Sequence, residues 1–148
     1  GSKEILLERT TAFKEGAKLL GEKGKMLKLS MQRVAYAARD EKDAEEKNLM
    51  AYEYYKRFDN MFTGPGLVNR GLIKPIERNQ TLEEMKENLI ICPVNQMIDK
   101  LSVYAEAGVD DFIVSSSFGQ NQEDIIESMQ RISENVMPSL KNVKSRVA

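Results

Sequence analysis

Met31-Gln32-Arg33-Val34-Ala35-Tyr36-Ala37-Ala38-Arg39-Asp40 is the stretch on which the fold turns. From Met31 to Ala38 the run is apolar except at Gln32 and Arg33, and its length with its Val and Tyr suits a short buried strand. Asp40 follows where a helix N-cap belongs, with Glu41 and Asp43 acidic in the first turn. The predicted helix carries Ala51, Tyr54, Tyr55, Phe58, Met61 and Phe62 on one stripe, and Gly64-Pro65-Gly66 stops it. A strand running straight into a helix is one βα unit.

Working outward, the same signature returns near the carboxyl end. Val109 with Phe112-Ile113-Val114 reads as a second buried strand, and Ser115 to Gln122 as a polar loop centred on Phe118-Gly119. A last helix on Ile125, Ile126, Met129, Ile132 and Val136 is predicted to close at Pro138. Between the two units, residues 67 to 80 show no period and are predicted to be an ordered loop. Thr81 with Glu84 reads as a capping box, and Leu89-Ile90-Ile91-Cys92 as a brief apolar stretch. Pro93 suits the first position of a helix lined by Val94, Met97, Ile98, Leu101, Tyr104 and Ala105, with Gly108 as its C-cap. Upstream, Ile5, Leu6, Ala12, Phe13, Ala17 and Leu20 predict a first helix ended by Gly21 and Gly24.

The expected order is helix, strand, helix, loop, helix, strand, helix. That alternation belongs to parallel βα units in the α/β class, here mostly helical with about two parallel strands. A complete (βα)8 TIM barrel takes about 250 residues. A chain of 148 residues with about two such strands falls short of a closed barrel and is expected to form one domain, 1–148.

Composition narrows the function. Hydrophobic residues are 41% and charged residues 30%, the balance of a globular chain. Lys and Arg total 22 against 23 Asp and Glu, which argues against nucleic-acid binding and membrane-surface binding. No stretch reaches the roughly 20 apolar residues of a membrane span. A cytoplasmic location is expected. Gly1-Ser2 reads as the remnant of a cleaved tag. Histidine is absent and Cys92 is the only cysteine, so Ser-His and Cys-His nucleophile pairs and thiolate zinc clusters are excluded.

From Leu89 onward the chain resembles the carboxy-terminal region of the bacterial-luciferase-like flavin-dependent monooxygenases. The residues that carry it are Leu89-Ile90-Ile91, Pro93, Leu101, Gly108-Val109-Asp110-Asp111-Phe112, Phe118-Gly119, Ser128-Met129 and Val136-Met137-Pro138. Arg33 to Ala38 with Asp40 and Asp43-Ala44 looks like that family's seventh barrel strand and following helix. The resemblance implies a (βα)8 barrel of which this chain, as a partial-barrel domain of carboxy-terminal βα units, holds the last two strands. It also implies reduced FMN as cofactor, a flavin reductase as partner, and a small organic substrate, an aldehyde or ketone, oxidised with oxygen. Ile91 and Cys92 depart from the pattern, standing where the family has Gly followed by Ser or Thr. The flavin-phosphate contacts and active-site histidine that the family carries upstream have no counterpart here.

In a barrel the working face lies at the carboxyl ends of the strands. That geometry turns Arg39, Ser115, Ser116, Ser117, Phe118 and Gln120 towards flavin or substrate. The plainer readings are a surface pair of Arg39 with Asp40 and serines that only solvate a loop. Asp110 and Asp111 fall at the strand's start, away from the chemistry. Cys92 is read as a part-buried inert thiol, with a lowered pKa at a helix start as the alternative. A second reading of the whole is a non-catalytic helical module. On either reading the strands, pairing only with each other, would leave open edges and drive homo-oligomer formation.

Overall fold

The computed structural model describes residues 3–141 and 143. Gly1-Ser2 and the other residues outside that set receive no structural account.

The strand read from Met31 to Ala38 forms as β1, Ser30–Ala38. It lies at the centre of a three-stranded sheet between β4 (Ile90–Pro93) and β5 (Asp111–Ser115), in the order β4-β1-β5. Both pairings are parallel: Ala35 to Ala38 stand opposite Ile90 to Pro93, and Ser30 to Val34 opposite Asp111 to Ser115. The expected class and parallel sense hold, but the sheet has three strands instead of about two. The short stretch Ile90-Ile91-Cys92 is the added strand. All three residues are no more than 3% exposed, because β4 sends Ile90 and Cys92 to one core and Ile91 to the other.

Helices cover both faces. Against Ala35, Ala37, Ile90 and Cys92 pack Met97 and Leu101 of α4 (Val94–Glu106), with Ile132 and Val136. Against Tyr36, Ala38 and Ile91 pack Ala44 and Ala51 of α2 (Glu41–Phe62), Met85 of α3 (Leu82–Asn88), and Phe118. The chain moves from β1 to β4 by way of α2 and α3, then back across β1 to β5 by way of α4. Reversing direction while keeping right-handed crossovers requires the helices to change face, and they do. Consecutive barrel units instead keep chain order and one helical side.

Local signals set most element ends. Asp40 Oδ1 accepts the Asp43 N–H at 2.8 Å and starts α2. Thr81 and Glu84 exchange both bonds of a capping box at α3. At the end of α4, Gly108 N–H donates to Ala105 and Val109 N–H to Tyr104, a Schellman pair that needs the positive φ of 91° at Gly108. Pro93 is the N-cap of α4, one place earlier than predicted.

Elsewhere the expectation fails for identifiable reasons. Residues 67 to 80 contain a small hairpin, β2 (Val68–Asn69) and β3 (Leu72–Ile73), turned by Arg70 and Gly71 at positive φ. Buried Asn60 holds its base, donating to the Leu67 and Lys74 carbonyls at 2.8 Å each and accepting from Leu67 N–H at 2.9 Å. Pro138 does not close the last helix. Helix α5 (Gln122–Arg131) runs into a wider π turn at Ile132–Val136 and continues as α6 (Met137–Leu140), with Pro138 in the first turn, where a missing N–H is tolerated. Helix α1 (Lys3–Leu19) forms, but of its apolar stripe only Leu6 is buried. It packs mainly on the following 3-10 turn, Gly21–Met26, where Gly24 lies so close to the Ala17 carbonyl that a Cβ would fall 1.8 Å from it.

Among the described residues no helix is long and apolar enough to cross a membrane.

Candidate functional site

The carboxyl ends of β1 and β5 flank the point where the chain reverses direction across the sheet. In open parallel sheets this is where a crevice forms for ligands. The amino ends of α2 and α5 both point into it. Their N3 positions carry Asp43 and Asp124, whose backbone N–H groups are held by Asp40 and Asn121 at 2.8 Å each.

Those two carboxylates organise a charge network. Lys47 Nζ lies 3.2 Å from Asp43 and 2.9 Å from Asp124. Arg39 reaches Asp43 at 3.2 Å, Asp124 at 3.3 Å and Glu127 at 3.8 Å, and Arg131 meets Glu127 at 3.3 Å. Asp43 and Lys47 are almost wholly buried, whereas the Arg39 side chain stays 50% exposed. Burial alone would raise the Asp43 carboxyl, but hydrogen bonds from the Arg39 N–H and guanidinium and from Lys47 outweigh it and hold the carboxyl below its ordinary value. Burial likewise opposes charge on Lys47, and Asp124 and Asp43 reverse that effect, leaving its pKa raised. Lys47 also sits 5.7 Å over the Tyr36 ring, whose phenol burial and the Asp43 charge push upward. The expected Arg39–Asp40 pair does not form; Asp40 is spent on its cap and Arg39 turns to Asp43, Asp124 and Glu127.

The loop after β5 divides into two kinds of residue. Phe118 is 1% exposed and meets Tyr36 edge-on with ring centres 5.9 Å apart. Gln120 is also buried; its Oε1 accepts from Phe118 N–H at 2.8 Å and its Nε2 donates to the Ser116 carbonyl, so it braces the loop from inside. Ser115 and Ser117 face a cavity of about 390 Å³ shared with Gln32, Tyr54, Tyr55 and Phe58. Ser116 is half-buried and does not line it. A larger hollow of about 810 Å³ lies at the opposite end of the sheet, beside Lys14, Lys18, Gly24 and Asp110. There Asp110 accepts the Leu29 N–H at 2.8 Å, a structural duty in keeping with its position before β5.

Chemically, the strand ends offer hydroxyls, an amide, phenols and a self-neutralised ion cluster. Burial lifts the Cys92 thiol to about 11, so it is no nucleophile near neutrality. Among the described residues no group of His, Cys, Asp and Glu is arranged to hold a metal ion. Sequence reading singled out Arg39 and the serines and did not single out Lys47, Asp124 and Glu127, which join Arg39 in the ion cluster. The i,i+4 spacings of Asp43 with Lys47 and of Glu127 with Arg131 were the local signals for Lys47 and Glu127; Asp124 had none of that kind.

The fold and the strand-end crevice define an α/β protein with a doubly covered parallel sheet. No family model matches the chain. Over 123 residues it is 27% identical to the oxygenase component of a flavin-dependent trigonelline monooxygenase from Acinetobacter baylyi, an alignment covering 78% of this chain and 34% of that protein. The chain thus spans about a third of the length of the curated relative it matches.

Proposed function

We propose that this chain is the carboxy-terminal part of a flavin-dependent monooxygenase oxygenase component of the luciferase-like type. The observation that carries the reading is the alignment with the trigonelline monooxygenase oxygenase component. On this reading the three strands are closing strands of a (βα)8 barrel. Placing β5 on the outer edge of β4 would restore chain order, and a preceding strand would take the side of β1 that β5 now holds.

Reduced FMN, delivered by a separate flavin reductase, would supply electrons for oxygen to enter a small organic substrate such as an aldehyde or ketone. The residues here suit a ring better than a phosphate. Ser115, Ser117 and Gln32 offer hydrogen bonds beside the Tyr54, Tyr55 and Phe58 wall, while the cations Arg39, Lys47 and Arg131 are matched by Asp43, Asp124 and Glu127. The roles of this chain are therefore to orient a planar group with Ser115 and Ser117 and to exclude water with Phe118. Arg39, half exposed, meets a polar group at the rim, and Ser116 and Gln120 keep the loop in shape. The flavin phosphate belongs to the remainder of the protein. A cytoplasmic setting fits a reductase-coupled reaction.

The test is oxygen uptake by a protein of the relative's length that contains this segment, supplied with FMN, NADH and a flavin reductase. Substrate-dependent uptake with one oxygen atom recovered in product is expected; none with any aldehyde, ketone or trigonelline would sink the reading. The second reading, an assembly module without catalysis, is favoured by the strand-end cations Arg39, Lys47 and Arg131 being already matched by Asp43, Asp124 and Glu127.

A further inference from the structure

Helix α5 is attached to the sheet by polar side chains. From Gln122 to Arg131 only Ser128 is buried, and no residue of the helix belongs to either apolar core. Ile126 and Met129 lie outward, 55% and 54% exposed. What reaches inward is Ser128 and Arg131 to Ala37, Asp124 to Lys47 and Arg39, and Glu127 to Arg39. Such contacts add little net stability, because each exchanges hydration for a partner. A helix held this way undocks at a lower free energy than the sheet unfolds.

Both ends of α5 can bend. Before it, Gly119 takes a positive φ of 110°; behind it, the wider π turn is fixed in the core by Ile132 and Val136. Undocking about these points carries Asp124 and Glu127 out of the crevice. Arg39 and Lys47 stay behind with Asp43, beside the amino end of α2. The crevice is neutral when closed and cationic when open. The buried Tyr36 hydroxyl, without a hydrogen-bond partner among the described residues, belongs to the same place, with Lys47 Nζ 5.7 Å from its ring.

We propose that α5 is a hinged lid, and that Asp124, held by Lys47 at 2.9 Å and Arg39 at 3.3 Å, occupies in the closed state the place of a ligand's carboxylate. This rests on the reading of the strand ends as the ligand site and deepens it. The small organic substrate bears a carboxylate, which Arg39 and Lys47 bind when the lid opens.

Hydrogen exchange followed by NMR on the chain tests the lid without turnover. The amides of Ala37 and α5 should exchange together, about a hundredfold faster than those pairing β1 with β4. Sodium acetate should raise that exchange saturably, by about tenfold over sodium chloride of equal ionic strength, and leave the β1–β4 amides unchanged. Arg39→Gln should abolish the acetate effect, and Asp124→Asn should bring it on at about tenfold lower acetate. Ala37 exchanging only with the whole sheet overturns the lid. An acetate effect no larger than that of chloride overturns the carboxylate site, as does one that survives Arg39→Gln or is unmoved by Asp124→Asn. None of these results bears on oxygen uptake, so the monooxygenase reading stands or falls separately.

Discussion

Ser128 Oγ of α5 accepts the backbone N–H of Ala37 in β1 at 2.8 Å, across 91 positions of sequence. Arg131, one turn further on, donates its Nε–H to the Ala37 carbonyl at 2.9 Å. β5 ends level with Val34, so beyond that point this side of β1 has no strand neighbour. Two side chains of α5 take the place of one. The expected open edges of the strand read at 31–38 are thereby closed, and the outer edges of the sheet are those of β4 and β5.

Ser128→Ala should therefore leave a wholly buried N–H without an acceptor, at a cost of about 1–3 kcal/mol. A urea midpoint that falls with unchanged slope would show it. A neutral result would mean that water reaches Ala37 and that the α5 cap is not needed.

The Asp43–Lys47–Asp124 cluster predicts a pH dependence with a definite sign. The Asp43 pKa is lowered on folding, so its contribution to stability is present above the unfolded value near 3.8 and is lost as pH falls through the lower folded value. The Lys47 pKa is raised, so its contribution is present below 10.5 and is lost as pH rises beyond the folded value. Asp43→Asn should flatten the acid limb of unfolding free energy against pH. It should also cost about 1.5–3 kcal/mol at pH 7, because Lys47 and Arg39 lose one charged partner while Asp124 still holds Lys47 at 2.9 Å. An acid limb of unchanged steepness would show that other carboxylates control it.

Ser117 and Phe118 are adjacent but should separate cleanly. Phe118→Ala empties a core position under Tyr36 and should cost about 3–5 kcal/mol in stability. Ser117→Ala touches an exposed hydroxyl at the cavity and should leave the melting midpoint unchanged while altering turnover in a protein of the relative's length. Equal losses of folding and turnover in Ser117→Ala would remove it from the proposed site.

The chain alone should bind FMN weakly. Its cavity is open and its strand-end cations are already paired, whereas a tight site encloses 70% or more of its ligand, by typical estimates. Titration followed by flavin fluorescence should show no saturation at low micromolar concentration. Stoichiometric yellow FMN carried through purification would place the phosphate site within these residues after all.

The sequence by itself determined the pieces whose causes are local. The strand at Met31 to Ala38, the Asp40 cap, the Thr81 and Glu84 box and the Gly108 stop each depend on residues within about a turn of one another, where spacing carries the information. It also placed Arg39 and the loop serines at the carboxyl ends of strands. What only the tertiary structure decided is which strand lies beside which, that Ile90 to Cys92 join the sheet, and that Arg39 answers Asp124 rather than Asp40. Ala37 with Ser128 and Arg39 with Asp124 lie 91 and 85 positions apart. Such pairs arise when two helical layers press on opposite faces of one sheet, and no three- or four-residue rhythm along the chain encodes which side chain will be waiting across the gap.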